Sequence, residues 1–190
     1  MPRVKDEDLE KLARAITTPQ VRTQRPALVA TVGLPGSGKS HFAHLLAQRL
    51  PLVVLESDAL RSILFRKPLH SYKENRRLFR ALHALAERLL AEGHTVLLDA
   101  TNLREEHRLD LKHIADRLSC PLILVELTAP EGLLIQRLKG RESRPAQAGV
   151  EVYVRMRAEA EPILLEHRCV DSSRDITSAI EEIAGEIERL

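Results

Sequence analysis

The run Gly33-Leu34-Pro35-Gly36-Ser37-Gly38-Lys39-Ser40 has the residue types and spacing with the clearest chemistry, the pattern G-x-x-x-x-G-K-[ST]. Glycines let the backbone curl so that successive N–H groups turn inward around a polyphosphate, and the N-terminus of a following helix adds favourable potential. In that arrangement Gly33, Gly36, Ser37 and Gly38 cradle the phosphates, Lys39 reaches the β- and γ-phosphates, and Ser40 ligates Mg²⁺. The bland alternative is a glycine-rich turn with an incidental lysine. A full match between an apolar strand and a helix disfavours it. The chemistry implied is the binding of a nucleoside triphosphate, with ATP and Mg²⁺ as the expected ligands. No N-K-x-D guanine-reading motif follows a later strand, and Asp99 stands alone before Ala100-Thr101-Asn102 where motor and assembly ATPases carry several acids.

Other side chains decide what the bound phosphate is used for. Asp58 follows the apolar run Leu52-Val53-Val54-Leu55 and falls at the carboxyl edge of the expected sheet, where open α/β folds bind ligands. A carboxylate there can orient an acceptor hydroxyl and take its proton; it can also be simply a helix cap, a role Ser57 fills equally well. Arg61, one turn on, either clamps an anionic group of the acceptor or pairs with Asp58 at the surface. Asp99 closes an apolar strand and is the candidate second Mg²⁺ holder, with Asn102 in the loop beyond it as an acceptor contact or a turn former. Arg137, Arg141 and Arg144 cluster at a helix end and the polar stretch after it. The spacing of four places Arg137 and Arg141 on one helical face, as a lid over the triphosphate or as a solvated basic helix end.

Alternating apolar runs and helical periodicities must hold these residues. Strands are expected over 27–32, 52–55, 95–99 and 121–127, with a weak last one over 167–170; apolar runs separated by helices imply a parallel sheet covered on both faces. Helices are expected over 39–49, from near Asp58, through Leu78, Leu82, Leu85 and Leu89 to a stop at Gly93, to about Leu118, over 131–139, 150–165 and 176–190. Residues 1–26 read as a short amphipathic helix over 6–16 and a connection, and 27–190 as the domain that carries the phosphate loop. With 190 residues, 44% of them apolar, the chain suffices for one core.

The formal charge of +2 makes no general case for a nucleic-acid partner. Locally, residues 58–80 hold seven Lys or Arg against Asp58 and Glu74, an excess that suits a phosphorylated acceptor or marks a solvated helix face. Cys120 and Cys169 fall in runs that read as buried strands, and no disulfide framework or short-spaced metal pattern is present. The absence of a secretory leader and of a membrane-length apolar run points to a cytoplasmic protein with no membrane partner.

Taken together, residues 27 to 172 resemble the polynucleotide 5′-kinase family, within a wider P-loop kinase group that includes zeta toxins and chloramphenicol phosphotransferase. Gly33 to Ser40, Asp58, Arg61, Asp99-Ala100-Thr101-Asn102-Leu103, the Arg137/Arg141 pair and the helix from Val150 carry the resemblance. It implies a five-stranded parallel P-loop fold with an arginine-bearing helical lid and γ-phosphate transfer from ATP to an alcohol. Asp58 becomes the general base, Arg61 a contact to acceptor phosphate, and Arg141 a contact to the donor. The implied acceptor is a 5′-hydroxyl polynucleotide; the alternatives are a sugar, nucleotide-sugar or antibiotic alcohol, or a non-catalytic ATP-binding switch. His41 departs from the threonine common in relatives.

Overall fold

The computed structural model describes residues 6–23, 25–69, 71–140 and 149–190. Five strands, β1 (Leu28–Val32), β2 (Val53–Glu56), β3 (Val96–Asp99), β4 (Leu122–Thr128) and β5 (Arg168–Asp171), form one sheet in the order β2-β3-β1-β4-β5. All four pairings are parallel, in keeping with strands separated by helices. The helices are α1 (Asp6–Ala13), α2 (Lys39–Arg49), α3 (Ser57–Leu64), α4 (Tyr72–Ala91), α5 (Glu105–Arg117), α6 (Glu131–Lys139), α7 (Val150–Ala158) and α8 (Thr177–Glu188).

Alternation along the strands sends side chains to two cores. Leu28, Ala30, Val96 and Leu98 pack under α4 and α5, whereas Val29, Leu97, Val125 and Leu127 pack against α2 and α8. Helix α4 buries Leu78, Leu82, Leu85 and Leu89, and it ends before Gly93, whose φ of +86° suits glycine. Helix α1 lies on α4: Leu12 is fully buried in the first core, and Arg77 grips Asp8 through two bonds of 2.7 and 2.6 Å. Leu12→Ala is expected to cost about 2–5 kcal/mol of unfolding free energy. A urea midpoint unchanged by the substitution would mean that α1 contributes nothing to the core.

Several particulars differ from expectation, and others hold. The helix from Val150 ends at Ala158 and not near residue 165, because Pro162 disfavours helical backbone at Glu161 and Arg108 holds the Glu161 and Pro162 carbonyls. Helix α6 ends at Lys139, as expected, with Arg137 in its last turn. Arg141 and Arg144 lie outside the described residues. Neither Ser57 nor Asp58 caps α3; Glu56 takes that place, and Asp58 is the second helical residue. Neither cysteine is fully buried: Cys120 is half-buried and Cys169 exposed, because β5 is an edge strand covered on one side only. No helix among the described residues is long and apolar enough to cross a membrane.

Candidate active site

Strand β1 runs straight into the glycine loop, and α2 starts at Lys39 with Gly38 as its N-cap in left-handed conformation, φ +91°. The loop accepts no side chain at its turns. A Cβ on Gly33 would lie 2.6 Å from the Leu127 carbonyl oxygen, and one on Gly36 would lie 3.0 Å from that of Leu134. No acid occupies the first turn of α2, which leaves its N-terminus favourable to an anion. Lys39 donates to the Leu34 carbonyl at 3.0 Å, folded over the loop it would serve. Ser37 Oγ is buried with no hydrogen-bond partner. These features fit a polyphosphate.

The carboxyl ends of β2 and β3 bring the acids to the same place. Register pairs Glu56 with Asp99. Asp99 is buried, accepts from the Ser40 hydroxyl, and has Thr31 Oγ1 at 3.3 Å. Burial pushes the Asp99 carboxyl up; Ser40, Lys39 and Thr31 pull it down, and Asp58 pushes it up again. Glu56 is likewise raised, first by burial and then by Asp99 and Asp58. Ser40 and Asp99 thus meet, with Asp58 and Glu56 within electrostatic reach of Asp99; Glu56 is a carboxylate that motif reading overlooked. Hard oxygen donors gathered beside a phosphate loop fit Mg²⁺, which Ser40 and Asp99 would hold; the ion would neutralise charge on the phosphates.

Arg61 is 6% exposed and not a surface residue paired with Asp58. Its Nε and Nη1 are buried without hydrogen-bond partners. Burial lowers its pKa, with Asp58 and Glu74 acting the other way. Asn102 does not reach the cleft surface as an acceptor contact would. It is fully buried at φ +44°, its amide donates to the Thr31 carbonyl at 2.8 Å, and it shapes the turn that β3 ends in. Arg137 sits against the loop: it donates to the Gly36 carbonyl at 3.1 Å and to the Ser172 carbonyl at 2.7 Å. It thereby ties α6 to the phosphate loop and to the chain after β5.

Arg108, 1% exposed, is a further residue the motifs did not mark. It bonds the carbonyls of Asn102 and Leu103 on one side and of Glu161 and Pro162 on the other. That joins the β3–α5 loop to the chain after α7. An arginine one turn into a charged helix carries no sequence signal for this.

A groove of about 860 Å³ runs between α4, α5 and α7. Its floor includes Phe79 stacked on His107, with centroids 4.6 Å apart, and His83 edge-on to Phe79. Arg76, Arg80 and Arg155 line it and make no ion pair among the described residues, whereas Glu87 is held by Arg117 and Glu159 by Arg104. The basic excess of residues 58–80 is thus divided: Arg61 is buried, Arg77 is engaged by Asp8, and Arg76 and Arg80 face this groove.

His83 is pushed down to about 4, because burial penalises the imidazolium more than Asp110, 3.8 Å away, favours it. Its unfolded counterpart takes up a proton near pH 6.5, so stability present above that value is lost as pH falls toward 4. The loss attributable to this one group is on the order of 3 kcal/mol across the window. His83→Gln is expected to flatten the fall in urea midpoint over that range; an identical pH profile in the variant would contradict the assignment.

Comparison with known proteins agrees with this geometry. The chain is similar to the Mycobacterium tuberculosis APS kinase CysC in complex with AMPPNP and APS, with a TM-score of 0.66, 23% identity, and coverage of 86% of this chain and 98% of that one. It is similar to Chaetomium thermophilum Kti12 in complex with ADP-AlF3, TM-score 0.67 and 18% identity, over 85% and 97% of the two chains. A gluconokinase from Sinorhizobium meliloti matches with a TM-score of 0.63 and 20% identity, over 86% and 93%. These likenesses show the fold, a P-loop kinase-like one. Among curated proteins, none matches the sequence. A family model described as an AAA domain matches residues 28–163, from the first residue of β1 to the chain beyond α7, and this chain belongs to that family.

Proposed function

We propose that the protein transfers the γ-phosphate of ATP, with Mg²⁺, to an alcohol, and that the alcohol is the 5′-hydroxyl of a polynucleotide. The observation that carries the transferase reading is the placement of Asp58. It stands on the first turn of α3, within the electrostatic reach of Asp99, which itself bonds Ser40 and feels the charge of Lys39. A nucleotide-binding switch has no need of a carboxylate there. A kinase needs one to orient the acceptor and take its proton, since phosphoryl transfer otherwise relies on positioning and charge neutralisation. In this reading Lys39 and Arg141 engage the donor phosphates, Ser40 and Asp99 hold Mg²⁺, and Arg137 fixes the loop. Arg61 offers its two unsatisfied nitrogens to a phosphate of the acceptor.

Two features support a polynucleotide as acceptor. Asn75, on the first turn of α4, lines the groove next to Glu74, whose charge acts on Arg61. Beyond it stand Arg76, Arg80 and Arg155, available to phosphates, and an aromatic floor available to a base. The small-molecule alternative draws on the neighbours, two of which are kinases of small metabolites by name.

The test offers wild-type protein γ-labelled ATP and Mg²⁺ with either a 5′-hydroxyl oligonucleotide or a panel of sugars and other small alcohols. Label on the oligonucleotide is expected, and more slowly at higher salt, because phosphate contacts weaken as salt rises. Label confined to a small alcohol would replace this acceptor with that one. ATP binding with no transfer to any acceptor would replace the kinase with a switch.

A further inference from the structure

Between β4 and the edge strand β5, Glu126, His167 and Cys169 converge although the first two stand 41 positions apart. The pleat explains why. Register sets Glu126 of β4 directly opposite Cys169 of β5, and His167, two residues before Cys169 in extended chain, points to the same face. One ligand atom from each lies within 4.8 Å of the others. Glu126 Oε2 is 3.3 Å from Cys169 Sγ and 3.6 Å from His167 Nε2.

Those separations match the edges of a coordination tetrahedron. Zinc bonds of about 2.0–2.3 Å to oxygen, nitrogen and sulfur at tetrahedral angles place neighbouring ligand atoms about 3.3–3.8 Å apart. A second observation points the same way. His167 Nδ1 lies 2.9 Å from the Leu165 carbonyl, which can only accept, so the ring proton sits on Nδ1. Nε2 then faces the Glu126 carboxylate at 3.6 Å, the orientation that metal-ligating histidines take from an outer hydrogen bond on the other ring nitrogen.

We infer that Glu126, His167 and Cys169 form a Zn²⁺ site with three protein ligands and a fourth position open to water. The mixed S, N and O donor set suits Zn²⁺ better than Mg²⁺ or Ca²⁺, which prefer oxygen alone. Binding replaces the thiol proton of Cys169, now donated toward Glu126, with the metal; that proton leaves to solvent, and no electron is transferred. The ion would clasp the edge strand β5 to β4 and fasten the chain returning from α7, which ends at His167. Strand β5 leads on to Ser172, the residue Arg137 holds beside the phosphate loop. The site shares no residue with the proposed kinase centre, so it stands or falls independently of that reading.

Titrating tag-free, metal-free full-length protein with Co²⁺ tests it. Wild type is expected to show thiolate-to-metal charge-transfer absorption and the intense visible bands of tetrahedral Co²⁺, displaced by one equivalent of Zn²⁺. Cys169→Ser removes the charge-transfer band, and His167→Gln and Glu126→Gln each weaken Zn²⁺ binding by more than about 100-fold. Zinc at about 100 times its dissociation constant raises the wild-type Tm by roughly 5–10 °C, and does not raise that of Cys169→Ser. Circular dichroism of each variant separates lost ligation from lost folding. Absence of charge transfer in wild type, octahedral spectra, or zinc affinity equal in wild type and in folded His167→Gln would overturn the site.

Discussion

Asp58→Ala is expected to retain ATP with unchanged affinity while its rate of phosphoryl transfer falls roughly 10²–10⁴-fold, the range a positioned general base contributes. The division follows from where the side chain stands. Asp58 is exposed on α3 and lies outside the glycine loop, so removing it leaves intact the amide cradle, Lys39 and the Ser40–Asp99 pair that hold the donor. What disappears is the acceptor's proton partner. The loss should fall on kcat and not on the KM for ATP, because it removes an interaction realised only as the hydroxyl attacks. A folded Asp58→Ala protein that no longer binds ATP would show the carboxylate to be part of the donor site.

Lys39→Ala is expected to act on the other half of the reaction, weakening ATP binding and lowering turnover by roughly 10²–10³-fold. The lysine now rests on the Leu34 carbonyl, a contact a phosphate can replace with a stronger charge-assisted one. It also helps offset the burial of Asp99, so its loss raises that carboxyl further and weakens Mg²⁺ at the lower end of the pH range. Calorimetric titration of ATP at two Mg²⁺ concentrations measures both consequences. Arg141→Ala should share the direction of the donor effect. Wild-type ATP affinity and turnover in Lys39→Ala would remove the phosphate loop from the account.

Much of this architecture is local physics and was open to reading along the chain. The central strands are mostly apolar because both faces of the sheet are covered there, and the glycine loop is recognisable because glycine readily accepts the positive φ at 33, 36 and 38. Gly93 marks the end of α4 for the same reason. What stayed hidden depends on pairing across the fold. Arg61 resembles any arginine on an amphipathic helix until α3 docks and buries it. Arg108 acquires its four carbonyls from two loops that meet only in three dimensions. Asn102 lies next to the Walker-type acid, so proximity in sequence suggested a cleft contact, yet the turn it makes pulls the amide into the core. Glu56 gains significance only through its register with Asp99. Cys169 is exposed because β5 lies at the edge of the sheet, a position that follows from strand order and not from its sequence neighbours.

The most direct measurement is a structure of the protein with ADP, aluminium fluoride, Mg²⁺ and a short 5′-hydroxyl oligonucleotide. The account predicts the terminal hydroxyl in line with the aluminium and an Asp58 carboxylate oxygen about 2.6–3.2 Å from it, the reach a general base requires. A carboxylate turned to solvent with no hydroxyl beside it, or core side chains filling the space between residue 58 and the bound phosphates, would contradict it.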